Sequence, residues 1–202
     1  MRIITGKYKG RRFDIPRTFK ARPTTDFAKE NIFNVIGGYI DFEDCRALDL
    51  FAGTGSISLE LLSRGCSQVV SVELDRDHAR FISECIRKIG ADNHTLLRTD
   101  ALRYLKKASL NLNAAQQQLN LEHGSTALEH PDWGQGAFNF IFADPPYALP
   151  QLPEIPDLVL SSGLLDEGGL FVFEHGQKNN FADHPRFVEH RAYGSVNFSL
   201  FA

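Results

Sequence analysis

Downstream of residue 45 the chain alternates between short unbroken apolar runs and stretches in which apolar residues recur every three or four positions. CRALDLFAG predicts a strand ending at Phe51, SISLELLSRG a helix, and QVVSVELD a second strand. RDHARFISECIRKIG predicts an amphipathic helix with Ala79, Ile82, Ile86 and Ile89 on one face and Gly90 as its stop. HTLLRTDA, FNFIFADPPY and GGLFVFEH give three more strands, each short and apolar as expected of strands covered on both faces. Strand and helix in regular alternation predict an α/β fold with a doubly wound parallel sheet and right-handed crossovers. Near the end, FVEHRAY and SVNFSLF flank Gly194, and Val196, Phe198 and Leu200 alternate with polar residues, which predicts an antiparallel hairpin at the sheet edge.

Upstream, RIITGKYKGRRFDI places Ile3 and Ile4 on one side of a Gly-bounded turn and Phe13 and Ile15 on the other, the pattern of two short strands in a β-hairpin. TTDFAKENIFNVIGG then carries Phe27 or Ala28, Ile32, Val35 and Ile36 at helical spacing, with Thr24 or Thr25 as cap and Gly37 as stop, giving a helix over roughly 25–36. Residues 107–137 are rich in Asn, Gln and His and lack a sustained apolar face. They predict a surface insertion between the third and fourth strands, partly helical around Leu112 to Leu121. The expected organisation is a basic hairpin extension at 1–22 and one domain at 23–202.

Charge changes the picture at the N-terminus. Residues 1–22 hold eight basic side chains against one acid, so this segment is +7 while the remainder is −10. That asymmetry suggests a polyanion-binding arm on an acidic body; a merely solvated basic hairpin is the alternative. Cys45, Cys66 and Cys85 form no CxxC and no His-containing pattern, so reduced thiols are expected, with neither a metal site nor a disulfide framework. No apolar run has the length of a membrane span and no signal-peptide pattern opens the chain, which places a monomer in the cytoplasm, away from membranes.

DLFAGTGS, residues 49–56, sits where the first strand gives way to a helix. Gly53 and Gly55 let a ligand approach the main chain, and the helix start offers unpaired N–H groups. Glu73 closes the second strand, where an acid can accept both hydroxyls of a ribose. A dinucleotide loop wants a third Gly or Ala where Ser58 stands here, and Asp49 would repel a diphosphate. The same Asp49 suits the ammonium of a methionine moiety, which points to S-adenosylmethionine, with Asp100 accepting from the adenine amine. Thr24, Phe51, Leu74 and Ala101 complete the expected donor contacts. Each acid alone could be a helix cap or loop carboxylate, and Asp100 alone reads as one; the ordered set of Asp49, Gly53 and Gly55, Glu73 and Asp100 carries the reading.

FADPPY, residues 142–147, ends the fourth strand, which runs beside the first and opens on the same crevice. An exocyclic amine on a base is a poor nucleophile because its lone pair is delocalised into the ring. Asp144 and the Pro145 carbonyl can each accept one amine hydrogen and turn the lone pair toward a sulfonium methyl. Pro145 and Pro146 stiffen the loop and Tyr147 can stack on the base. The tetrapeptide does not choose between adenine and guanine.

RIITGKYKGRR, RPTTDFAKENIFN, LDLFAGTGSISLELLSRG, VELD, TDALRYL, FIFADPPY, FVFEH and AYG together resemble the bacterial 16S ribosomal RNA guanine-N2 methyltransferase family. The likeness covers nearly the whole chain except 107–137, which is usually shorter in the family. The resemblance implies a Rossmann-like class I methyltransferase fold whose seven-stranded sheet has an antiparallel last strand, S-adenosylmethionine as donor, and guanine N2 in 16S rRNA or the small subunit as acceptor. It implies that Gly53, Gly55, Glu73 and Asp100 hold the donor, that Asp144 to Tyr147 form the active loop, and that the strip from Arg22 to Asp26 covers donor and target base. Lys7, Lys9, Arg11, Arg12 and Arg22 would meet RNA, whose phosphates make binding salt-dependent. His175 matches a family position and is expected to make a structural hydrogen bond. A DNA adenine-N6 methyltransferase shares the clamp but usually carries a separate target-recognition domain. A non-catalytic nucleic-acid-binding module would use the hairpin alone, and an NAD-dependent oxidoreductase leaves FADPPY without a role.

Overall fold

The computed structural model describes residues 1–19, 24–121 and 137–202, with backbone alone for 113–121. The elements are α1 (Asp26–Ile36), β1 (Arg46–Leu50), α2 (Ser56–Arg64), β2 (Gln68–Val72), α3 (Arg76–Ile89), β3 (His94–Leu97), α4 (Ala101–Leu121), β4 (Phe138–Ala143), α5 (Ile155–Leu160), β5 (Leu165–His175), β6 (Phe187–Tyr193) and β7 (Val196–Phe201). They build one seven-stranded sheet in the order β3-β2-β1-β4-β5-β7-β6. The first five strands pair in parallel, and β7 runs antiparallel between β5 and β6. This is the doubly wound sheet with an antiparallel end that the alternating pattern and the family likeness called for.

Both faces are covered, which is why the parallel strands read as unbroken apolar runs. Ile32, Phe33 and Ile36 of α1, Leu59 and Leu62 of α2 and Ile82 and Ile86 of α3 pack one face. Ala101 and Leu105 of α4, with Leu152, Ile155 and Val159 around α5, pack the other. Helix ends follow local chemistry: the Thr25 hydroxyl accepts from Ala28 N–H at 3.2 Å, and Gly90 takes the left-handed conformation after α3.

Two elements differ from the sequence pattern. The helix expected around Leu112 to Leu121 begins eleven residues earlier, at Ala101, so the first half of 107–137 continues α4; residues 122–136 lie outside the described set. Asp100 starts it, its carboxylate accepting the Arg103 N–H at 2.8 Å. Helix α5 carried no sequence signal because Pro153 and Pro156 interrupt the run; both stand at helix-start positions, where a missing N–H costs nothing.

The N-terminal hairpin holds a single antiparallel bridge, Arg2 to Arg12, rather than two strands. Three N–H groups bond across it, Ile3 to the Arg11 carbonyl, Gly10 to that of Ile3 and Phe13 to that of Met1, while others reach α2. The N–H groups of Ile4 and Thr5 donate to the two oxygens of the Glu60 carboxylate at 2.8 and 3.0 Å, and Lys7 N–H donates to the Ser63 carbonyl at 2.7 Å. Gly6 approaches α2 so closely that a Cβ there would lie 1.8 Å from the Ser63 carbonyl oxygen. Ile3, Tyr8 and Phe13 join the core beneath α1 and α2. The join centres on Lys29, 1% exposed: its ammonium donates to the Arg2 carbonyl at 2.6 Å and Ser56 Oγ at 3.1 Å, and stands 3.5 Å from Glu60. Burial holds the Lys29 pKa below the ordinary lysine value, with Glu60 pulling the other way.

Candidate active site

Each of the five parallel strands delivers an acid at or just beyond its C-terminal end. Across the sheet these are Asp100 after β3, Glu73 after β2, Asp49 in β1, Asp144 after β4 and Glu174 in β5. Among the described residues no Lys or Arg forms an ion pair with Asp49, Asp144 or Glu174. A crevice at the carboxyl ends of parallel strands is where open α/β sheets bind ligands.

The glycine loop joins β1 to α2. Gly53 and Gly55 have positive φ, and Phe51, at φ 62°, is the non-glycine residue with positive φ among the described residues, a strained backbone at the crevice. A Cβ on Gly55 would lie 2.9 Å from Ile82 Cγ1, so α3 can pack on the loop only because glycine stands there. The Glu73 carboxylate accepts from Gly53 N–H and Asp75 N–H, both at 2.7 Å, and fixes the loop against β2. Leu74 beside it is exposed, while Ala101 is buried.

Asp49 is 1% exposed, beneath the loop, where its Oδ2 accepts from Ser58 N–H at 3.0 Å and from the Ser58 hydroxyl. Ser58, read from sequence as a poor third glycine, is therefore the partner of the acid. Ser58 bonds onward to Ser71 at 2.6 Å, and Ser71 to His94 Nε2 at 2.7 Å. Burial pushes the Asp49 carboxyl up to about 7, against the lowering effect of the Ser58 bonds. The crevice feels its charge rather than an exposed oxygen.

On the other side of β1, Asp144 continues the pairing, its N–H on the Leu50 carbonyl at 3.4 Å. Pro145 is buried and Pro146 exposed. Tyr147 has its ring about half exposed and its hydroxyl donating to Glu174 Oε1 at 3.1 Å; Thr24 donates to Oε2 at 3.1 Å. A Cβ on Gly176 would lie 3.3 Å from Tyr147 Cδ2, so the ring rests against the end of β5. Glu174 thus ties the 24–26 strip to the active loop. No spacing or motif marked it; only the β4 to β5 pairing, which sets Ala143 beside Phe173, brings it next to Asp144. Burial first, then Glu174 and Asp49, hold the Asp144 carboxyl well above its usual range, and burial raises Glu174 to about 7. His175 beside it is structural: Nδ1–H donates to the Gly176 carbonyl at 3.0 Å and Nε2 accepts from Ser199 at 2.8 Å.

The basic residues do not gather here. Lys7 is fixed at Ser63 and the Arg11 guanidinium donates to the Lys88 carbonyl, so the tip of the hairpin lies at the C-terminal ends of α2 and α3. Seven residues of α2 separate Ser63 from Ser56, about 10 Å along the helix. Arg12, paired with Arg2, lies nearer the crevice, since the Arg2 carbonyl shares the Lys29 ammonium with Ser56. Arg22 lies outside the described residues.

A family model described as Conserved hypothetical protein 95 matches residues 1–114 and 100–202. The YlbH protein of Bacillus subtilis (strain 168), provisionally named an rRNA methyltransferase, is 32% identical over 88% of this chain and 84% of its own. The Ribosomal RNA small subunit methyltransferase D of Escherichia coli (strain K12) is 28% identical over 92% of this chain and 79% of its own. Among solved structures, a hypothetical protein from Thermus thermophilus is 28% identical and covers 100% of this chain and 98% of its own, with a TM-score of 0.75. With one family model spanning the chain and relatives matched over most of their length, the chain belongs to the Conserved hypothetical protein 95 family, the bacterial family that includes these rRNA methyltransferases.

Proposed function

We propose that this protein transfers a methyl group from S-adenosylmethionine to the exocyclic N2 amine of a guanine in 16S rRNA of the small ribosomal subunit, acting in the cytoplasm. The observation that carries the reading is Asp144, half-buried just past β4 and close enough to Glu174 and Asp49 for their charges to raise its carboxyl. The names of the relatives support rRNA as the acceptor.

The donor set fits this cofactor. Among the described residues Asp49, Asp144 and Glu174 have no basic partner, so they suit a ligand that brings positive charge and no phosphate. Glu73 and the loop glycines would hold the nucleoside, and Asp100, whose carboxylate also caps α4, its adenine. When bound, the cofactor supplies an electrophilic methyl whose bond to sulfur breaks with its electron pair going to sulfur, leaving a neutral thioether. The protein's own part is to aim the amine. Asp144 accepts one amine hydrogen and the Pro145 carbonyl the other, which frees the nitrogen lone pair to form the new N–C bond. The nitrogen then surrenders one proton to the Asp144 carboxylate, which returns it to water. Tyr147, fixed through Glu174, stacks on the base. Glu174 also favours guanine: beside its amine guanine carries an N1–H donor, whereas adenine and cytosine present a lone pair that a neighbouring carboxylate repels.

Tritium transfer from the labelled donor to undermethylated small subunits, free rRNA and DNA, followed by mass-spectrometric mapping of the modified base, tests the reading. Label on guanine N2 of small-subunit rRNA is expected; label on DNA adenine alone would overturn it.

The raised carboxylates predict a pH signature. The donor carries one net positive charge and its thioether product none. Because Asp49 and Glu174 titrate near 7, donor affinity should rise between about pH 6 and 8, and more steeply than product affinity, since both ligands carry the ammonium that Asp49 suits but only the donor carries the sulfonium. Stability should run the other way. The folded pKa values lie above the ordinary 3.8 and 4.5, so the unfolded chain loses these protons first, and the ligand-free protein is destabilised as pH rises toward 7. Calorimetric titrations across pH check this; parallel donor and product profiles would remove the acids from donor selection.

A further inference from the structure

Among the described residues, exposed large apolar side chains include Phe27, Leu74 and Tyr147, all at the carboxyl edge of the sheet. Leu74 borders the donor side and Tyr147 the target base, but Phe27 has no part in that account. It is 66% exposed in the first turn of α1, whereas Phe33, two turns on, is fully buried.

Phe27 meets Tyr193 edge to face, with ring centroids 6.1 Å apart and planes at 88°. Register places Tyr193. Asn197 of β7 stands opposite His175 of β5 on one side and Ala192 of β6 on the other, so Tyr193 is level with Gly176, on which the Tyr147 ring rests. With β7 between them, Gly176 and Tyr193 are two strand spacings apart, about 10 Å. Thr24, three residues before Phe27, is tied through Glu174 to the Tyr147 hydroxyl. The Phe27–Tyr193 pair is therefore held on the rim of the crevice, one nucleotide's reach from the active loop. Asp26, the acid beside it, is paired with Arg2 at 3.0 Å, while Glu30, one turn further along α1, is exposed with no ion pair among the described residues.

We propose that Phe27 and Tyr193 form a stacking platform for an unpaired base next to the target guanine; this rests on the rRNA methyltransferase reading. A base that enters the crevice must leave its stack, and its neighbour loses a stacking partner. An aromatic ring beside the opening replaces that partner for any base, since every base has a π-face. The area is two rings continuous with the catalytic opening, which suits a base better than a protein surface.

The test is RNA binding without donor, using the full-length protein, a single-stranded rRNA fragment centred on the mapped guanine, and the same fragment with an abasic neighbour 5′ or 3′ of it. Phe27→Ala and Tyr193→Ala should each weaken binding to the intact fragment about tenfold, with the slope of log affinity against log salt unchanged. Phe27→Trp should retain binding, and on one abasic fragment wild type and Phe27→Ala should bind alike. Neutralising Lys7, Lys9, Arg11 and Arg12 should instead flatten the salt slope in proportion to the number of phosphates these side chains neutralise. Equal losses on intact and abasic RNA would overturn the platform, as would an effect confined to assembled subunits, which would assign the pair to a ribosomal protein. Failure of the rRNA reading is separate: wild type would then transfer no methyl to rRNA whatever Phe27 does.

Discussion

Asp144→Ala is expected to lower kcat for methyl transfer by several orders of magnitude while leaving donor affinity within a few-fold of wild type. A lost hydrogen bond to a charged acceptor is worth about 1.5–3 kcal/mol, or about 10- to 150-fold in rate. The amine also loses the group that turns its lone pair toward the methyl, and misplacement of a reacting atom by about 1 Å costs about another 100-fold. Stability should move in the opposite direction. Asp144 is half-buried near Glu174 and Asp49 and has no basic partner among the described residues, so its ionised form is unfavourable in the folded protein. At pH 8, Asp144→Asn should raise the thermal midpoint of the ligand-free protein as it abolishes turnover, the pattern of a site that trades stability for chemistry. Single-turnover kinetics, donor calorimetry and thermal denaturation read the three effects separately. Near-wild-type turnover in Asp144→Ala removes the clamp; inactivity with a lowered melting temperature assigns Asp144 to the fold instead.

Apolar patterning exposed the sheet because parallel strands buried on both faces have little choice of residue, and each helix between them needs one apolar stripe. The places of the glycine loop, Glu73 and FADPPY were legible for a related reason: these groups follow strand ends directly in sequence. Glu174 was not legible as a site residue. Its partners Thr24 and Tyr147 stand 150 and 27 residues away, and only strand order brings the three together. The seating of the basic hairpin was not legible either. Composition gives its charge but not where it packs: Gly6 is pressed on Ser63 and the Ile4 and Thr5 N–H groups are taken up by Glu60. That carboxylate, in the middle of an apolar helix, carries no mark of its tertiary partners in sequence.

Lys29→Met is expected to cost about 3 kcal/mol of folding stability, the low end of the penalty for breaking a buried ion pair, because Glu60 keeps the Ile4 and Thr5 N–H groups and Arg64. For a chain of this size that corresponds to a fall of about 6–12 °C in melting temperature. Two further acceptors, the Arg2 carbonyl and Ser56 Oγ, also lose the ammonium. Adding Glu60→Gln should recover only part of the loss, since the amide oxygen still accepts a backbone N–H but Arg64, with its side chain 10% exposed, gives up its carboxylate partner; the double-mutant cycle then isolates the coupling between Lys29 and Glu60. The consequence reaches the site through α1. Lys29 holds that helix against α2, and Thr24, just before its cap, is the residue that bonds Glu174. Loosening α1 should therefore raise KM for RNA more than it changes kcat, and proteolysis should release the N-terminal hairpin sooner. A Lys29→Met protein within about 1 kcal/mol of wild type, the size of an ordinary point-mutant effect, would show that apolar contacts of Ile3, Tyr8 and Phe13 hold the extension without the buried pair.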